Sequence, residues 1–169
     1  MKKRTPALWP VTLMLAGCAT QVPPHLQPAG ERALFTLHAI GVQIYECRVK
    51  AGAPGEHEWA FVAPEADLFD RSGRRVGRHY AGPHWEAADG SKVLASMRAR
   101  ADAPSPDTIP WLLLSAKAAG SPEGAFSRVT SIQRLNTVSG AAPKSGCTQA
   151  TAGTQARVFY TADYVLFTG

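Results

Sequence analysis

Arg78-His79-Tyr80-Ala81-Gly82-Pro83-His84-Trp85-Glu86 is the densest run of chemically capable side chains in this 169-residue sequence. Two histidines, a tyrosine, a tryptophan and a glutamate flank a Gly-Pro bend. Histidine changes protonation near neutral pH, so His79 or His84 could act as a general base. Glu86 or Asp89 would then orient it, as in an envelope hydrolase. Tyr80 and Trp85 could instead form a flat aromatic platform for a sugar or peptide, with Trp111 as a neighbour. The plainer expectation is a hairpin in which Tyr80 and Trp85 pack and the histidines cover the turn. His79, His84 and Glu86 could also be weighed as metal ligands, but their spacing matches no strong zinc signature. No metal or cofactor is expected. No phosphate loop, dinucleotide fingerprint or nucleophile elbow appears.

The elements that would position this cluster read as strands. Apolar runs are short and bounded by glycine, proline or aspartate, the pattern of strands and turns. Residues 42–49 alternate, with Val42 and Ile44 on one side and Tyr45, Cys47 and Val49 on the other. Residues 59–62 form the next strand. Ser72-Gly73 and Asp89-Gly90 mark tight turns in two successive hairpins. Ile109-Pro110-Trp111-Leu112-Leu113-Leu114-Ser115 fits a buried strand or a short helix, with strand preferred because Gly120 and Pro122 follow closely. Residues 126–135 alternate as a strand with one partly wet face. Residues 139–153 read as a loop, and 157–167 as a closing β-branched and aromatic strand. The expectation is an all-β domain, an antiparallel sandwich or barrel built from hairpins with little helix.

The N-terminus says where such a domain works. Met1-Lys2-Lys3-Arg4 is basic, residues 6–16 are uncharged and largely apolar, and Leu15-Ala16-Gly17-Cys18 follows. This resembles a bacterial lipoprotein signal with its lipobox. The resemblance implies a diacylglycerol on the Cys18 thiol, cleavage before it, and an amide-linked acyl chain such as palmitate. Residues 1–17 are then signal, 18–30 a lipidated Pro-rich tether, and 31–169 one domain. Ala19, rather than aspartate, after the cysteine implies by analogy the outer membrane, with the domain in the periplasm or at the cell surface. Lys2, Lys3 and Arg4 leave with the signal, so 15 basic residues face 13 acidic ones, a balance of +2. That gives little reason to expect nucleic acid.

Two further cysteines, Cys47 and Cys147, remain in an oxidising compartment. An isolated pair there is most simply a disulfide, with a free buried thiol or a nucleophile as alternatives. The basic run Arg71, Arg74, Arg75 and Arg78 could meet anionic headgroups but reads better as a wet hairpin face.

Several motifs together are similar to a secreted bacterial and fungal family catalogued as a domain of unknown function, numbered 3455. They are Gly41-Val42-Gln43-Ile44-Tyr45-Glu46-Cys47, Trp59-Ala60-Phe61 with Pro64-Glu65-Ala66, and residues 77–86. Asp89-Gly90-Ser91, Ile109-Pro110-Trp111, Thr130-Ser131-Ile132-Gln133-Arg134 and Tyr160-Thr161-Ala162-Asp163-Tyr164 complete the set. The resemblance implies an exported single domain and supports pairing Cys47 with Cys147. It implies no reaction or ligand. The expected function is a non-catalytic envelope module for a small molecule, glycan or partner protein, with the hydrolase and a purely structural envelope protein as alternatives.

Overall fold

The computed structural model describes residues 21–169. The expected signal and lipobox, with Cys18, lie outside the described residues. Eight antiparallel strands follow one another around a closed barrel, each paired with the next. They are β1 (Arg32–Val49), β2 (His57–Phe69), β3 (Arg75–Tyr80), β4 (His84–Ala87), β5 (Lys92–Ala101), β6 (Trp111–Ala118), β7 (Ser131–Ser139) and β8 (Gln155–Thr168). β8 returns to pair with β1 along nearly its whole length, which closes the ring. Closure gives every strand a partner on both sides, though over only part of the length of β2 and β5 beside the short β3 and β4.

Alternation along each strand sends one set of side chains inward. Leu37 and Ala39 on β1, Ala66 and Leu68 on β2, Trp85 and Ala87 on β4, and Tyr160, Ala162, Tyr164 and Leu166 on β8 are all buried in one core. Small residues stand beside very large ones, which is how a narrow barrel is filled. Gly41 marks the tightest place. A Cβ there would meet the Glu65 carbonyl oxygen at 2.1 Å, so no side chain fits between β1 and β2 at that point. The expected run at 42–49 is the second half of one strand that passes through Gly41 unbroken.

The ambiguous run at 109–118 is strand β6, and its continuous hydrophobicity has a simple cause. Leu112 and Leu114 belong to the inner core. Trp111 and Leu113 face outward into a second buried cluster with Leu26 and Leu135. Residues 24–26 form a short 3₁₀ turn that brings Leu26 onto this outer face, where it is wholly buried. The Gln133 side-chain amide donates to the Leu26 carbonyl, and His25 Nε2 lies 3.1 Å from the Arg100 carbonyl. The described part of the expected tether is therefore a strap packed on the barrel wall.

β7 begins later than alternation suggests. Phe126 and Val129 lie in a turn, yet both reach the inner core. Two hydrogen bonds hold that turn: Ala125 N–H donates to Asp89 and Phe126 N–H to the Ser91 hydroxyl. At the far end, Cys47 and Cys147 form a disulfide that ties β1 to the β7–β8 loop across 100 residues.

Candidate functional site

The β3–β4 hairpin carries the cluster at 78–86, and strand alternation splits that cluster between two faces. His79 and Trp85, paired across the hairpin, point inward and are almost completely buried. Their rings stack with centroids 3.9 Å apart. Tyr164 of β8 meets both edge-on, at 5.2 Å from His79 and 5.3 Å from Trp85. His79 Nδ1 lies 2.8 Å from the His84 carbonyl oxygen. A carbonyl only accepts, so Nδ1 carries the proton and Nε2 is the ring's acceptor. Burial pushes the His79 pKa down to about 3, so the ring is neutral at physiological pH.

Arg78, Tyr80, His84 and Glu86 lie on the outer face. The Tyr80 hydroxyl donates to Glu86, and the Arg78 guanidinium contacts the other carboxylate oxygen at 2.9 Å. These two bonds, Tyr80 first, hold the Glu86 carboxyl below its ordinary pKa. The same bond to Glu86, aided by burial, raises the Tyr80 phenol. His84 stacks on Tyr80, and its Nδ1 lies 2.7 Å from the Ala81 carbonyl.

The expected cluster is thus divided: Tyr80, His84 and Glu86 share the outer face, while His79 and Trp85 point inward. His79 and Glu86 stand on opposite sides of the wall, which breaks the expected His79–Glu86 pair. Asp89 is committed to the turn: its carboxylate accepts from the Ser91 backbone and hydroxyl and from Ala125 N–H, which lowers its pKa. Trp111 faces the strap rather than the hairpin, so it is no neighbour of Trp85. His79, His84 and Glu86 likewise cannot form one metal site, and no group of three potential ligands occurs among the described residues.

What the hairpin does create is an opening. β3 pairs with β2 only over Ala66 to Phe69, and β4 with β5 only over Lys92 to Leu94. Beyond the tip at residues 81–83, the neighbouring stretches of β2 and β5 have no strand between them. A cavity of about 690 Å³ occupies that gap and reaches into the barrel. Phe61, Val62 and Pro64 line one side and Leu94, Ser96 and Met97 the other. His79, Trp85, Tyr164, Gln43 and Arg134 line it more deeply, with Leu112 and Leu114.

Arg134 comes from β7 and is half-buried. Its Nε donates to the Pro110 carbonyl at 3.0 Å, and its charge counters the upward push of burial on the Tyr164 phenol. Gln43 and Arg134 lie within the motifs at 41–47 and 130–134 but are not among the expected site residues. The available signal was a polar side chain on the face that alternation buries, Gln43 beside Tyr45 and Arg134 beside Ile132.

The family model for a protein of unknown function (DUF3455) matches residues 28–168. The chain belongs to the DUF3455 family. No curated protein and no solved structure matches it. The match spans every strand of the barrel, so the cavity of this DUF3455 protein lies wholly within the family region. The family description names no activity, and the site must be read from its own chemistry.

Proposed function

We propose that this DUF3455 protein is an exported, lipid-anchored envelope protein whose barrel binds a small molecule through the gap beside the β3–β4 hairpin. The observation that carries the reading is the side-opening cavity that reaches the His79–Trp85–Tyr164 floor. Its volume falls in the range of small-molecule sites, and it is apolar with a few polar groups at depth. Barrels of this strand number commonly have room for one small ligand. The basic, apolar and small-residue order ending at Cys18 supports export and lipidation. Two acyl groups suffice for stable anchoring. His79 is separated from Glu86, and on the outer face both Glu86 oxygens are engaged by Tyr80 and Arg78 while His84 Nδ1 lies against the Ala81 carbonyl, an arrangement that favours binding over hydrolysis.

Thermal unfolding of the full chain against sugars, peptides, lipids and metal ions tests the binding reading. A ligand at a hundred times its Kd adds about 2.7 kcal/mol, a readily measured rise in midpoint. Met97→Trp, at the exposed mouth, is expected to abolish that rise while leaving the unliganded midpoint in place. No rise with any compound overturns the reading. For the anchor, Cys18→Ser is expected to lose attached lipid and leave the detergent phase; retention of lipid would show that another residue carries it.

A further inference from the structure

We infer that the ligand of this cavity is an amphipathic monocarboxylate, seated with its carboxylate inward at Arg134, Gln43 and Trp85 and its apolar body against the mouth. The inference rests on the small-molecule reading and adds the chemistry of the ligand.

Three observations converge on an anionic, acceptor-only head group. Gln43 and Trp85 line the cavity and each is about 2% exposed; Trp85 Nε1 has no hydrogen-bond partner among the described residues, and Gln43 Nε2 has only the neighbouring Tyr160 hydroxyl within reach, at poor geometry. Buried N–H groups are nearly always paired, so an unpaired indole N–H and an amide with donor capacity to spare beside one cavity point to an acceptor supplied from outside. Another unpaired donor, Trp111 Nε1, lies under the strap and away from the cavity. Arg134 forms no ion pair with a described carboxylate, although seven lysine or arginine ion pairs occur among the described residues. Finally, no Asp or Glu lines the cavity, while Lys117 and Arg134 do. An arginine fork with neutral N–H donors matches a carboxylate, which accepts on both oxygens. One deep cation suits a single negative charge.

The mouth sets the rest of the molecule. Phe61, Val62, Leu94 and Met97 are 51%, 47%, 42% and 64% exposed, four of the nine exposed large hydrophobic residues in the described chain. All four line this one cavity. A clustered apolar rim over a cationic floor is the shape of a site for an acid with a hydrocarbon body.

The test is calorimetric titration of the full chain carrying Cys18→Ser, so that no attached lipid competes, in detergent-free buffer. Decanoate is compared with decanol and with acetate. Decanoate is expected to bind one to one. Decanol should be at least about tenfold weaker, because a hydrogen bond to a charged group exceeds a neutral one by that much, and acetate at least about tenfold weaker, because it has no hydrocarbon body to bury. Arg134→Gln is expected to weaken decanoate at least about tenfold and to leave decanol unchanged, which also reports that the barrel is folded. Should Arg134→Gln fail to fold, Gln43→Leu serves, with the same selective loss of decanoate. Equal binding of decanoate and decanol, or decanoate binding indifferent to both substitutions, overturns the carboxylate inference but leaves a small-molecule site standing. Absence of decanoate binding, with a sugar or peptide bound and blocked by Met97→Trp, does the same. Absence of binding by every compound overturns both readings.

Discussion

His79 owes its protonation state to the barrel. Its ordinary pKa is 6.5, and burial against Trp85 and Tyr164 lowers it to about 3. Above pH 6.5 the ring is neutral in folded and unfolded chains, and it contributes no pH dependence. Below pH 6.5 the unfolded chain takes up a proton that the folded chain refuses, so stability falls as pH falls toward 3. From pH 7 to 5 this one group is expected to cost about 2 kcal/mol. Urea unfolding of the wild-type chain and of His79→Gln at both pH values checks this. The variant should lose about 2 kcal/mol less over that interval, and parallel losses would place His79 in contact with water. The types and closeness of His79, Tyr80, His84, Trp85 and Glu86 were visible in the chain. Their division between two faces follows from the period of two along β3 and β4, once those segments are strands. The cluster was read as one turn, and the strands run closer to the bend than a convergent site requires.

Among the elements, the strap at residues 24–26 departs most from expectation. Pro23, Pro24 and Pro28 with a single large aliphatic residue read as a spacer. That aliphatic residue, Leu26, instead completes an outer cluster with Trp111, Leu113 and Leu135. Leu26→Ala is expected to cost about 2–5 kcal/mol, the usual loss on emptying a fully buried leucine site. Amide exchange should rise along β6 and β7, where Trp111 and Leu135 lose their cover. A variant as stable as wild type would return the segment to the role of a free spacer. The strap also explains β6. A run that is apolar at every position has no alternation to read, because both of its faces are buried and by different partners.

At the scale of the whole molecule, the disulfide and the β1–β8 ladder act on the same problem. Closing a barrel brings the first and last strands together, which costs chain entropy. The Cys47–Cys147 bond ties the end of β1 to the segment leading into β8, and its loop of 100 residues restricts the unfolded chain strongly. Replacing both cysteines by alanine is expected to cost about 2–5 kcal/mol, read by urea unfolding with and without reductant. The variant should be indifferent to reductant, and the wild type should fall to its level. Equal stability of oxidised and reduced wild type would mean that the ladder alone closes the barrel.

Much of this architecture was present in local order. Hairpin turns at Ser72-Gly73 and Asp89-Gly90, short alternating runs and β-branched residues determined an all-β, hairpin-built chain, because turn chemistry and side-chain period act between near neighbours. The isolated pair Cys47 and Cys147 pointed to a disulfide, and the structure forms it. Closure and the cavity were decided only in three dimensions. The gap exists because β3 and β4 end at the Gly82–Pro83 bend while β2 and β5 run on past it, a mismatch of lengths set by pairing register between distant segments. Gln43 and Arg134 come together for the same reason: they lie on strands far apart in the chain, and only the closed ring points both of them at one interior.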